Sequence, residues 1–147
     1  MSCAELIHQL GQKLNISDLS LTEDNTCGVL FDDDDVLFEN VNGNLFIVAE
    51  IGRVEEDERN KYFAIFMDAN HLGHGTAYGS IGYDEQRDIF TLTRIVSEDI
   101  VYEKFEEQLV VFLKTLRYWK KYLQDGEVSE STTETENSSL SMLSGLS

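Results

Sequence analysis

Four consecutive aspartates, Asp32 to Asp35 in "FDDDDVLFE", form the densest set of candidate metal ligands in the chain. A calcium loop of the EF-hand type needs oxygen ligands at alternating positions, with glycine at the sixth and glutamate at the twelfth. The run lacks that spacing, and successive side chains in an extended or turning segment diverge instead of facing one ion. Aspartate does suit turns, because its carboxylate bonds nearby backbone amides. The four therefore read as the solvated tip of a hairpin. Asp68, His71 and His74 make a second string, D-x-x-H-x-x-H. Zinc wants four converging ligands, but a helix is expected to end between these histidines, and no further cysteine or histidine lies near. Cys27 reads as a small buried strand residue and Cys3 as part of the chain start, neither in a nucleophile's setting. No nucleophile elbow, phosphate loop or dinucleotide fingerprint occurs. These residues predict no enzyme, no metal and no cofactor.

Charge points the same way. The 28 acidic residues against 11 basic ones give a net charge of −17. That field repels nucleic-acid phosphates and anionic membranes, so a partner that is basic, or that must be kept soluble, suits it better. A chain of 147 residues with 41% hydrophobic content fits one domain with a core that needs no disulfide. Its two cysteines suit a reducing compartment. The start lacks the pattern of a signal peptide, and no run approaches the roughly 20 apolar residues of a membrane span. A soluble, cytoplasmic protein is expected.

The elements that position these residues follow from periodicity. Ser2 and Glu5 form a capping box, and Leu6, Ile7, Leu10 and Leu14 stripe a helix over residues 3–14. Short strands are expected at 19–21, 27–31, 36–41 and 45–51, with Asn42-Gly43-Asn44 as a tight hairpin turn. Residues 57–72 read as a middle helix, 76–84 and 88–96 as two more strands. A long last helix runs from about 98 to 124, capped by Ser97. The order is α-β-β-β-β-α-β-β-α: an α+β fold with a twisted antiparallel sheet flanked by helices. The domain spans residues 1–125. Residues 126–147 are rich in serine, threonine and glutamate and read as a flexible acidic tail.

The middle helix is apolar over more than half its circumference, through Tyr62, Phe63, Ile65, Phe66, Met67, Ala69 and Leu72. A surface helix needs a stripe of only about 100°. Two faces must then be buried, one on the sheet and one on a second copy. Phe63, Phe66 and Met67, with the strand from Tyr78 to Ile81, are the candidate dimer interface.

Five stretches carry this order: "LIHQLGQKLNI", "LSLTEDNTCGVLFDD", "LFIVAEIGRV", "FAIFMDANHLGHGTAYGSIGYD" and "FEEQLVVFLKTLRYWKKYL", covering about residues 3–124. Together they resemble the class I type III secretion chaperones of the Tir-chaperone (CesT-like) family. Members often carry proline where this chain has Glu55 and Ser97. The resemblance implies a bacterial cytoplasmic homodimer without enzymatic activity. It would bind the N-terminal chaperone-binding segment of a secreted effector, keep it soluble and extended, and assist its delivery, with the secretion ATPase as a further partner. Client contact is implied on the first helix and first hairpin: Leu6, Ile7, Leu10, Leu14, Val29, Phe31, Val36 and Phe38. The rival reading is an acidic nucleic-acid mimic that occupies a DNA-binding protein.

Overall fold

The computed structural model describes residues 1–97 and 99–126. The expected acidic tail, residues 127–147, lies outside them. Helix α1 spans Cys3–Leu14 and begins at the capping box: Glu5 N–H donates to Ser2 Oγ and Ser2 N–H to Glu5 Oε2, both at 3.2 Å. Asn15 ends it in the left-handed region, which asparagine tolerates.

The first expected strand, 19–21, does not form. Gly11 leaves space on α1 into which the chain folds back, so that a Cβ there would stand 2.7 Å from Leu19 Cβ. Leu19 and Leu21 instead pack on the core from a loop. Strand β1 is Thr26–Phe31, β2 Asp34–Val41 and β3 Asn44–Gly52. Asn42 and Gly43, both at positive φ, make the β2–β3 turn as the Asn-Gly pair demands. After a short turn of 3₁₀ helix comes α2, Arg59–Asn70, then β4, Ser80–Asp84, and β5, Ile89–Val96.

Helix α3, Tyr102–Asp125, starts later than expected, and its N-cap is Val101. Ser97 gives its carbonyl to the Ile100 amide at 3.2 Å instead of capping the helix. Ile100 and Tyr102 are both buried, so the chain is drawn into the core before helical geometry begins. Tertiary burial overrides the local cap here.

The five strands form one antiparallel sheet in the order β1-β2-β3-β5-β4. This is an α+β fold with three strands, not four, before α2. All three helices lie on one face. Leu6, Ile7 and Leu10 of α1 meet Val29, Phe31, Val36 and Phe38 of the hairpin and Phe105, Leu109 and Leu113 of α3 in a single core. Phe38 and Phe105 meet edge on, ring centroids 6.2 Å apart. Further along, Phe66 of α2 meets Phe90 and Trp119 edge to face, with ring centroids 4.7 and 5.2 Å away.

Candidate functional site

The aspartate run sits on a two-residue hairpin loop, Asp32-Asp33, between Phe31 and Asp34, which pair directly. Asp32 takes φ 56°. The reading of a wholly solvated tip needs correction at Asp34, which is only 6% exposed. Its carboxylate accepts from Arg117 Nε at 2.6 Å and from Lys120 Nζ at 2.7 Å, both on α3. Arg117 also reaches Asp32 at 3.4 Å. One carboxylate thus locks the hairpin to the last helix. Parity carried the signal: Asp34 is two residues before the buried Val36, so it shares the inward face.

Among the described residues, no three histidine, cysteine, aspartate or glutamate side chains converge as a metal site. His71 and His74 are exposed at the end of α2. Both cysteines are buried and outside any disulfide among the described residues, and burial pushes the Cys27 thiol up, away from the thiolate that a nucleophile needs.

Of the eight residues expected to touch a client, seven are core. Leu6, Ile7, Leu10, Val29, Phe31, Val36 and Phe38 are each buried, and Leu14 is partly buried against the same cluster. The helix stripe and the hairpin's inner face satisfy each other, so neither remains for a ligand. The accessible surface is the opposite face of the sheet, which none of the described elements covers. Gly28, Leu30, Asp35, Leu37, Phe46, Val48, Glu50, Thr91, Thr93 and Ile95 alternate with the buried set. Leu37 stands opposite Val48, and Phe46 opposite Ile95. Leu30 is 68% exposed and Ile95 56%. Sequence alternation separates the two rows of side chains; it does not say which row the helices will cover.

The two sheet edges differ. On β4, the Asn70 carboxamide imitates a neighbouring strand: it accepts from Ile81 N–H at 2.8 Å and donates to Ile81 C=O at 2.9 Å. That edge is closed at its centre. On β1, the loop amide of Thr22 occupies the Thr26 carbonyl. Residues flanking a two-residue hairpin loop exchange hydrogen bonds, and the pattern alternates from there. Cys27, Val29 and Phe31 thus bond β2, and the Asn40 amide on the Asn25 carbonyl at 2.9 Å keeps the same phase. Gly28 and Leu30 direct their N–H and C=O outward, along an open edge beside the exposed apolar face.

The candidate dimer residues divide as well. Phe66 and Ile81 are buried in the protomer's own core and cannot meet a second copy, because α2 uses that side against β5 and α3. Phe63 is at the margin of exposure, whereas Met67 is 73% and Tyr78 81% exposed, with Leu72 beside them in sequence at 82%. The loop that carries Tyr78 is held firmly: Trp119 Nε1 donates to Gly75 C=O at 2.8 Å, and Arg94 donates to Ala77 C=O. A Cβ on Gly75 would fall 2.7 Å from Ala69 Cβ, so only glycine lets this loop close on α2.

The fold is thus a helix-backed antiparallel sheet with one face and the β1 edge left open. The model of the Tir chaperone protein (CesT) family matches residues 5–120, and the chain belongs to that family. In the ExsC–ExsE complex, a chain 20% identical superposes with a TM-score of 0.71, over 84% of this chain and 97% of that one. The HopA1–SchA chaperone–effector complex gives 12% identity and a TM-score of 0.65, over 80% and 91%. The heterodimeric ExoU–SpcU complex from the type III secretion system of Pseudomonas aeruginosa gives 15% and 0.59, over 82% and 93%. At these identities the likeness shows the fold. No curated protein matches the chain by sequence.

Proposed function

We propose that this protein is a cytoplasmic, non-enzymatic type III secretion chaperone that acts as a homodimer. It holds the N-terminal segment of a secreted effector in a soluble, extended state and presents it to the secretion apparatus, including its ATPase. The observation that carries this reading is the uncovered apolar sheet face beside the open edge of β1, in a chain of the CesT family. An unfolded segment offers unpaired backbone and alternating side chains. An open strand edge takes the first, and shallow apolar positions on the adjoining face take the second. Among the described residues no helix is long and apolar enough to cross a membrane, which agrees with the placement proposed. Family membership and fold-mates solved as chaperone–effector complexes support the same view.

Co-purification from the native cell tests it. The wild type is expected to bring down a secreted protein through that protein's N-terminal segment. Leu30→Glu, Leu37→Glu and Ile95→Glu place charges on exposed positions, so the fold and its circular dichroism should persist while the client is lost. Retention of the client by all three variants would remove the sheet face from consideration.

A further inference from the structure

We infer that the client segment is basic: its strand carries an arginine or lysine at the position that lies beside Gly28. This rests on the chaperone reading above and names the chemistry of what that site selects. A strand added to β1 would run about 4.8 Å from it, with alternate side chains on the exposed face. Gly28 provides no side chain there. A Cβ at Gly28 would meet nothing nearer than Asp35 Oδ1, at 4.0 Å, so the Asp35 carboxylate looks across bare backbone toward the open edge. The cross-strand neighbour of Gly28 is Leu37. A long cationic side chain therefore lays its methylenes over Gly28 and Leu37 and brings its head to Asp35, an arrangement amphipathic side chains favour. A short or acidic side chain at that position gains neither contact.

The neighbouring charges single out the same spot. Asp34 is neutralised by Arg117 and Lys120, Asp32 is reached by Arg117, and Glu50 is held by Arg87. Asp33 and Asp35 line a depression of about 610 Å³ at the end of the sheet with Leu37, Val48 and Glu50; its lining also includes Arg87 and Lys120, cations already engaged by Glu50 and Asp34. Among the described residues neither Asp33 nor Asp35 has an ion-pair partner. Two uncompensated carboxylates at the rim of an apolar face, beside unpaired strand backbone, complement a basic amphipathic strand. The net charge of −17 adds long-range attraction for it.

The test uses the full chain and three fluorescein-labelled 14-residue peptides of alternating valine and threonine with serine ends. They differ only at one central threonine position, which carries arginine, glutamine or glutamate. Fluorescence anisotropy at low salt should show the arginine peptide binding at least tenfold more tightly than the glutamine peptide, with the glutamate peptide weakest. The advantage should vanish in the Asp33→Asn/Asp35→Asn double variant and shrink in 0.5 M sodium chloride, as an exposed ion pair is screened. Gly28→Leu, which stands between edge and carboxylate, should erase it with both aspartates intact. Equal binding of all three peptides by the wild type would overturn the charge preference and leave the open-edge site standing. If none of them binds, and the co-purified native client is indifferent to Leu30→Glu, the site itself is overturned.

Discussion

Removing the Asp34 carboxylate would leave the Arg117 guanidinium, whose side chain is only 12% exposed, without its closest anion. Breaking a buried pair from one side costs about 3–5 kcal/mol, because the remaining charge stays desolvated. Lys120 is more open to water, which softens the loss, so Asp34→Asn is expected to destabilise the fold by about 3 kcal/mol. Asp33→Asn, one residue away on the exposed turn, should stay within about 0.5 kcal/mol. Urea denaturation of the two variants checks this. Equal midpoints would mean that the Arg117–Asp34–Lys120 cluster does not hold the hairpin to α3. Four identical side chains in a row thus have different duties, set by which way the strand turns each one.

Helix α2 carries the argument about assembly. Its inward residues, Tyr62, Phe66 and Ala69, are spent on the protomer's own core, yet Met67 stays in water with Leu72 and Tyr78 following it on the loop. Large apolar side chains left in solvent in one region mark an interaction surface, and a second copy is the occupant we propose. Met67→Asp and Tyr78→Asp should each shift the protein from dimer to monomer in light scattering with unchanged circular dichroism. Both positions are exposed, so the protomer tolerates the charge. Phe66→Asp, in contrast, should unfold the chain, since it buries a carboxylate among Phe90 and Trp119. A wild-type monomer at micromolar concentration would end the dimer proposal.

At the scale of the whole molecule, the buried tyrosines set a pH limit. Burial raises the phenol of Tyr62, and it pushes that of Tyr102 well above the usual tyrosine range. The unfolded chain ionises its phenols near pH 10. Below that pH both states are neutral at these groups and their contribution is fully present. As pH rises above it, the unfolded state ionises first and stability is lost. The melting temperature should therefore begin to decline near pH 9, where the unfolded chain ionises the thiol that Cys27 keeps buried, and fall further beyond pH 10, less steeply there for Tyr102→Phe than for the wild type. An alkaline slope identical in that variant would show that Tyr102 is not the group responsible.

Local chemistry alone determined a good part of this protein. The capping box at Ser2 and Glu5, the Asn42-Gly43 turn and the alternation along β1 to β3 are rules written over two to eight residues, and they hold. The family was legible for the same reason, because its pattern is an order of such elements. Which of two alternating rows becomes core depends on where α1 and α3 finally lie, and that is settled by contacts across the whole chain. The core positions are apolar in the sequence, but their mates are each other, which leaves Gly28, Leu30, Leu37 and Ile95 as the open surface. Leu19 lost its strand to the space at Gly11, and Ser97 lost its cap to the burial of Ile100. Asp34 became an anchor only because Arg117 arrives from 83 residues away. Short-range geometry names the elements; the burial of one face against another chooses which residues are left to bind.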